Sequence, residues 1–179
     1  MNEKQSSKKD IMQRFKDKVE ELKTTLPPEG KSFGNSCAAH TLNNILDVLD
    51  SKDLEKVYYN NLAIPFSGFG SYINDKGWKG PCGVVSAGIA AIGIIMGGQE
   101  RTRSKEVPLV FTKAIQFADK FEKEFGSVCC HEICGFDLTK EYQKYKEANI
   151  WEKKCCDLIY FTIKTVSKLT RKDLKAKWN

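Results

Sequence analysis

Cysteine is the residue type whose number and placement in this chain point to chemistry. Seven of the 179 residues are cysteines, and all of them lie between residues 37 and 156. An odd count in a chain of this length is not typical of a closed disulfide scaffold. Residues 1–25 are charged throughout and lack the apolar segment of a secretory signal, so we expect a cytoplasmic protein with reduced thiols. Clustered cysteines in that setting are more typical of metal ligands or redox centres than of structural bridges.

Four of the cysteines fall at or near predicted helix starts. Cys37 and Cys82 lie in the first turns of two predicted helices, Cys155 lies early in the last one on its apolar face, and Cys130 lies within a short helix beginning at Ser127. Unpaired N–H groups at a helix start favour the thiolate and lower a thiol's pKa. If these starts converge, four sulfurs share one electropositive pocket. The alternative is that each is an ordinary small buried hydrophobic residue.

The other three cysteines are interpreted as neighbours of this set. Cys129 and Cys156 each adjoin another cysteine and fall about 100° round the helix from it, so Cys156 leaves the apolar face that Cys155 keeps. Cys134 comes one turn after Cys130 and could be a fifth ligand, a resolving thiol or a core residue.

Other chemistry has less support in the sequence. Only His40 and His131 are available for a Cys–His nucleophile pair, for example with Cys82, and no triad-like motif accompanies them. The segment 130–134, CHEIC, lacks zinc-finger spacing, and a structural zinc site stays open as an alternative.

The elements that must position these cysteines are predicted to be helices. Apolar periodicity favours an all-α, single helical-bundle domain, and no convincing strand alternation occurs. Predicted helices cover residues 8–24, the stretch from a cap at Asn35 or Ser36 to Leu49, residues 54–62, 82–98, a helix opened by Pro108 and stopped by Gly126, and residues 127–134, 142–148 and 151–169. Residues 29–33 are predicted to be a loop. The segment 66–81 holds four glycines and is predicted to be a structureless loop that roofs the pocket.

Two of the predicted helices have distinctive apolar patterns. Residues 82–98 carry no charge, but they are fewer than the roughly 20 residues of a membrane span, so we expect a buried central helix that begins at Pro81. The helix opened by Pro108 is predicted to bury a broad face. That face consists of Val107, Val110, Phe111, Ala114, Ile115, Phe117, Ala118, Phe121 and Phe125.

The positive charge of the chain is concentrated at its ends. The net charge is +6; residues 1–31 contribute +2, residues 32–150 contribute −1 and residues 151–179 contribute +5, counted from the sequence. We predict an N-terminal helix and linker over residues 1–31, a four-cysteine domain over 32–167 and a basic tail over 168–179. A basic tail can bind nucleic acid or an anionic surface, but a solvated helix end explains it better, because only Trp178 could supply stacking.

The sequences around the four cysteines carry a resemblance to a known family. They read NSCAAHTLNNIL at Cys37, FSGFGSYINDKGWKGPCGVVSAGIAAIG at Cys82, FGSVCCHEICGFDL at Cys130 and KKCCDLI at Cys155. In order and spacing they resemble the C_GCAxxG_C_C family of redox-active proteins, mostly from anaerobic prokaryotes, over about residues 33–167. One departure is that Pro81 precedes Cys82 and a glycine follows it, where the family name has Gly-Cys-Ala.

The resemblance implies a helical domain whose four cysteines act in redox chemistry. A similar domain occurs in split-Soret cytochromes, where the cysteines are associated with an iron–sulfur cluster. This chain has no C-x-x-C-H motif, so no haem is expected. The leading hypothesis is an electron-transfer protein whose iron–sulfur cluster is bound by Cys37, Cys82, Cys130 and Cys155, with Cys134 as a further candidate ligand.

Two other functions stay open at this point. One is a thiol–disulfide oxidoreductase that uses the same four cysteines. The other is a non-catalytic binding module with structural cysteines or zinc and a basic tail. The redox partner is not identified by the sequence, no membrane or nucleic-acid partner is expected, and a site shared between the subunits of a homodimer is compatible with the pattern.

Overall fold

The structure is a computed structural model that describes residues 10–27, 36–50 and 56–178, with the side chains of residues 56 and 57 left out. Within these ranges the chain forms nine α-helices and one π-helical turn, and the prediction of an all-α domain is confirmed. The helices are α1 Ile11–Thr25, α2 Cys37–Leu49, α3 Lys56–Gly70, α4 Gly83–Gly97, α5 Val107–Phe125, α6 Cys130–Cys134, α7 Tyr142–Glu147, α8 Cys156–Leu169 and α9 Arg171–Lys177, with the π-helical turn at Trp151–Cys155 before α8.

The first two helices follow the sequence pattern closely. The four apolar residues spaced along α1 are buried, and so is the apolar stripe of α2. Ser36 caps α2, because its hydroxyl accepts a hydrogen bond from the amide of Ala39 at 3.1 Å. The alternative cap Asn35 and the loop predicted at residues 29–33 lie outside the described residues.

Helix α3 is longer than predicted and corrects two expectations. It runs on through Pro65 to Gly70, so the first five residues of the predicted loop 66–81 are helical. Proline and glycine are poor helix formers, but α3 packs along both α2 and α4 and buries Ala63 between its neighbours. That packing outweighs the local propensities. The rest of the predicted loop contains an isolated antiparallel bridge between Ile73 and Lys79.

Helix α4 is the central helix of the domain. It contacts α2, α3, α5, α8 and α9, as its uncharged sequence predicts. Its start is shifted from the prediction, since Pro81 forms an isolated bridge with Cys129 and Cys82 is the N-cap, leaving Gly83 as the first helical residue. No helix in the described parts of the chain is long and apolar enough to cross a membrane.

Two glycines of α4 provide a matched test of this packing. A Cβ at Gly88 would lie 2.7 Å from ring atoms of Phe117 and 2.8 Å from Cγ2 of Thr162, whereas a Cβ at Gly93 would meet nothing within 4 Å. We expect Gly88→Ala to lower the free energy of unfolding by about 1–3 kcal/mol through overpacking. Gly93→Ala should raise it by about 0.5–1 kcal/mol because alanine is the better helix former. Urea denaturation of the two variants measures both, and equal effects would contradict the described packing.

Helix α5 buries less than predicted. It begins at Val107, one residue before Pro108, and Gly126 ends it with a φ of +81°, the left-handed conformation that suits glycine. Of the nine apolar residues predicted to be buried, only Phe117 and Phe121 are. Phe111 is 64% exposed and Ile115 is 69% exposed. The prediction of a broad core face is therefore wrong, because only one side of α5 packs on α4 and α8.

The C-terminal segment joins the core. The predicted helix over 151–169 is divided into the π-helical turn and α8, and residues 171–177 form a further helix. Leu174 and Trp178 are buried, and the indole N–H of Trp178 donates to the carbonyl of Ile95 at 2.9 Å. The expectation of a merely solvated helix end is wrong for these two residues. The division into 1–31, 32–167 and 168–179 stays a prediction.

Candidate functional site

The four candidate cysteines lie at the ends of separate elements. Cys37 is the first residue of α2, Cys82 is the N-cap of α4, Cys130 is the first residue of α6, and Cys155 ends the π-helical turn. All seven cysteines are free thiols in the structure. Cys37 and Cys82 thus lie at helix starts, as predicted. Cys130 was predicted to lie within a helix beginning at Ser127, and it is instead the first residue of α6.

Three of these thiols are immediate neighbours. The side chain of Cys82 interacts both with that of Cys37 and with that of Cys130. Cys37 and Cys130 also influence each other electrostatically. The starts of α2, α4 and α6 therefore bring three sulfurs to one place.

Two further thiols extend this group. The Cys134 side chain is hydrogen-bonded to that of Cys130, and it also interacts electrostatically with Cys155. The Cys155 sulfur lies 3.5 Å from the hydroxyl of Tyr145. We call Cys37, Cys82, Cys130, Cys134 and Cys155 together the thiol array.

The remaining two cysteines make other contacts. The Cys129 thiol donates to the carbonyl oxygen of Lys79 at 3.7 Å. Cys156 lies beside Tyr160, and burial raises the pKa of its thiol to about 11. Within each Cys-Cys pair, one residue therefore belongs to the array and the other contacts different groups.

Two glycines let the backbone approach the array closely. A Cβ at Gly83 would lie 2.7 Å from the hydroxyl oxygen of Ser67 and 3.1 Å from the sulfur of Cys37. A Cβ at Gly70 would lie 3.3 Å from the Cβ of Cys130. Larger residues at either position would crowd the sulfurs or push α3 and α4 away from them.

Sequence reasoning did not find two polar residues that contact the array. The hydroxyl oxygen of Ser67 lies 3.3 Å from the sulfur of Cys37 and accepts a hydrogen bond from the amide of Ala38 at 3.2 Å. Tyr145 contacts Cys155 as described above. The glycine-rich segment around Ser67 indicated the region but not the residue, and no local signal indicates Tyr145.

A polar network fixes the glycine-rich loop to α6. The Lys79 ammonium lies 3.0 Å from one carboxylate oxygen of Glu132, and the hydroxyl of Ser127 donates to the other at 2.6 Å. These hydrogen bonds, that from Ser127 first, lower the pKa of Glu132. Ser127 also accepts from the amide of Cys129 at 2.9 Å. The loop after α3 and the start of α6 are thus held together next to the array.

The pKa values of most thiols in the array shift in the direction opposite to the one predicted. Helix starts were expected to lower the thiol pKa values, and backbone amides do act in that direction at Cys37 and Cys82. Hydrogen bonding between neighbouring thiols, with burial, outweighs them and raises the pKa values of Cys37, Cys82 and Cys130. Cys134 is the exception, because its hydrogen bond with Cys130 lowers its pKa. Folding therefore favours the protonated form of these three thiols in the iron-free protein.

This arrangement predicts how stability depends on pH in the reduced, iron-free protein. A thiol whose pKa is raised by folding stabilises the fold below its unfolded value of about 9.0, and the contribution is lost as pH rises towards the folded value. We expect the free energy of unfolding to fall as the pH rises above about 9, and to fall less in Cys82→Ser, which has one such thiol fewer. Urea denaturation at several pH values measures this. An identical pH dependence in both proteins would contradict the description of Cys82.

His40, one of the two histidines, packs against an aromatic ring. The ring of His40 packs against Trp151 with centroids 5.8 Å apart, and burial lowers its pKa. Among the residues that the structure describes, no three His, Cys, Asp or Glu side chains are arranged to hold a single metal ion.

Comparison with known proteins gives one result that bears on function. The family model described as "Putative redox-active protein (C_GCAxxG_C_C)" matches residues 35–169, about three quarters of the chain. The matched range includes all five cysteines of the array, as the resemblance in the sequence predicted. No curated protein and no solved structure matches the chain.

Proposed function

Because the chain belongs to the C_GCAxxG_C_C family of redox-active proteins, we propose that its thiol array is the redox centre and that the array binds an iron–sulfur cluster for electron transfer. The proposed ligands are Cys37, Cys82, Cys130 and Cys155, with Cys134 as a further candidate. The observation that carries the proposal is the meeting of five thiols from α2, α4, α6 and the π-helical turn.

The donor set of the array suits such a group. Thiolates are soft ligands that select iron–sulfur clusters, zinc or copper(I). An iron–sulfur cluster distributes its thiolate ligands over different iron atoms, so it does not need three side chains converging on a single ion. The raised pKa values of Cys37, Cys82 and Cys130 also fit this proposal. Closely spaced thiolates repel one another, and a bound cationic centre would offset their charge.

The residues around the array would influence the reduction potential of a bound cluster. The bound cluster would supply one-electron transfer. Cys82 is buried, and Cys37 and Cys130 are partly buried against the core, which limits access of water to the sulfurs. The hydroxyls of Ser67 and Tyr145 lie next to Cys37 and Cys155. Hydrogen bonds to ligand sulfurs and burial are the main means by which a protein sets the potential of such a centre.

Anaerobic reconstitution tests this proposal. The reduced, iron-free protein is incubated with ferrous iron and sulfide and then desalted. We expect a visible absorption band that stays with the protein and bleaches reversibly on reduction with dithionite. Loss of all visible absorption on desalting would overturn the proposal.

The contact between the Cys134 and Cys130 side chains, which lowers the pKa of Cys134, supports a second candidate function, which is thiol–disulfide exchange. The Cys134 thiolate would attack a disulfide of a partner molecule, and Cys130 would then displace the partner by forming a bond with Cys134. In total, two thiols of this chain lose two electrons and two protons, and the partner's disulfide gains them as two thiols. Cys134 is buried, however, which hinders attack on an external disulfide and places this candidate second.

Thiol counting distinguishes the second candidate from the first. Under thiol–disulfide exchange, an excess of oxidised glutathione should remove two free thiols per chain from the native, iron-free protein and join Cys130 to Cys134 in the peptide map. Cys134→Ser should abolish that loss, whereas Cys156→Ser should leave it. A full set of seven free thiols after treatment would contradict the candidate.

A further inference from the structure

A groove between α1 and α8 lies outside the site of the proposed function. It encloses about 490 Å³, within the roughly 300–1,000 Å³ of small-molecule sites. Its floor is apolar and is formed by Met12, Phe15, Val19, Tyr160 and Phe161. None of the five cysteines of the thiol array lines it.

The two helices run antiparallel along the groove. The hydroxyl of Tyr160, near the start of α8, donates to the carbonyl of Leu22, near the end of α1, at 3.1 Å. Lining residues extend from Met12 to Lys23 on α1 and from Asp157 to Lys168 on α8. That is about three turns on each helix, or roughly 16 Å at 1.5 Å per residue. The groove is therefore long and open rather than round.

The two ends of the groove differ in charge, since acidic residues line one end and lysines line the rest of the rim. Lys23 forms an ion pair with Glu20 at 2.8 Å, and Asp157 lies at the same end as this pair. Lys16, Lys164 and Lys168 line the rest of the rim. None of them belongs to an ion pair within the described part of the chain. Lys164 and Lys168 are four residues apart, so they project from the same side of α8.

We propose that this groove binds a single-chain amphiphile with an anionic head, of the fatty-acid class. The apolar floor takes the chain, and Lys16, Lys164 and Lys168 take the head. Charge complementarity selects the anion, because three lysines without ion-pair partners border an otherwise apolar surface. The length of the groove favours an extended chain over a compact ring.

Calorimetric titration of the whole chain, without iron, tests the proposal with sodium dodecanoate below its micelle concentration. We expect saturable binding of one molecule per chain. Octanoate should bind at least about tenfold more weakly, because fewer methylene groups are buried. The double variant Lys164→Glu/Lys168→Glu should also bind dodecanoate at least about tenfold more weakly. The control double variant Lys172→Glu/Lys175→Glu makes the same change in net charge on α9, outside the groove, and should bind as the wild type does.

Three results would overturn the proposal. If dodecyltrimethylammonium bound as tightly as dodecanoate, the groove would recognise only the apolar chain. If inorganic phosphate bound as tightly as dodecanoate, the groove would recognise only the negative charge. Unchanged dodecanoate binding by the Lys164→Glu/Lys168→Glu variant would place any binding elsewhere. None of these outcomes depends on whether the thiol array binds iron.

Discussion

Serine in place of Cys130 is expected to lower the iron and sulfide bound by the anaerobically purified protein at least about tenfold, whereas serine in place of Cys129 should leave both unchanged. Cys130 lies between Cys82 and Cys134 in the thiol array, so its loss breaks the set of ligands. Cys129 contacts the backbone of Lys79 instead. Iron and acid-labile sulfide assays on the two variants give the comparison.

The second Cys-Cys pair provides an independent repeat of this experiment. Cys155→Ser should lower iron and sulfide in the same way, and Cys156→Ser should retain them, because Cys156 lies beside Tyr160 rather than in the array. Circular dichroism of all four variants checks that the helical fold is kept. Equal iron content in both members of either pair would contradict the assignment of that pair.

The largest effect on stability is expected at Gly80, in the loop that joins α3 to the array. A Cβ at this position would overlap the carbonyl oxygen of Phe69 and would also lie 3.3 Å from the Cα of Gly70. Both contacts are with backbone, which cannot rotate away as a side chain can. We expect Gly80→Ala to lower the free energy of unfolding by about 3 kcal/mol.

Gly68 provides the matched control for this prediction. A Cβ at Gly68, in the last turns of α3, would meet nothing within 4 Å. Gly68→Ala should therefore be neutral or stabilise the protein by up to about 1 kcal/mol. Thermal and urea denaturation of the two variants gives the difference. A Gly80→Ala variant as stable as Gly68→Ala would show that the loop does not lie against the end of α3 as described.

The helices that carry the cysteines could be located from local sequence to within a few residues, although several of their first residues were not predicted correctly. Apolar periodicity located α1, α2, α4 and α8, and Ser36 and Gly126 gave correct helix limits. These signals depend on residues close together in the chain, so one sequence is enough to detect them. The separation of Cys155 from Cys156 followed from the same helical geometry.

Features that depend on distant packing could not be predicted. The continuation of α3 through Pro65 rests on α2 and α4, and the exposure of Phe111 and Ile115 depends on which side of α5 has a neighbour. The pKa values of Cys37 and Cys82 were predicted to be lowered and are instead raised, for a similar reason. A helix start acts locally, but a neighbouring thiol from another helix acts more strongly.

The iron and acid-labile sulfide content of the wild-type protein, purified without exposure to oxygen, tests the central claim most directly. If the thiol array binds an iron–sulfur cluster, the protein should be brown and contain iron and sulfide in comparable amounts, and both should be lost together in Cys82→Ser. A colourless, iron-free protein whose thiols are oxidised and reduced reversibly would contradict the claim and favour disulfide chemistry at the same cysteines.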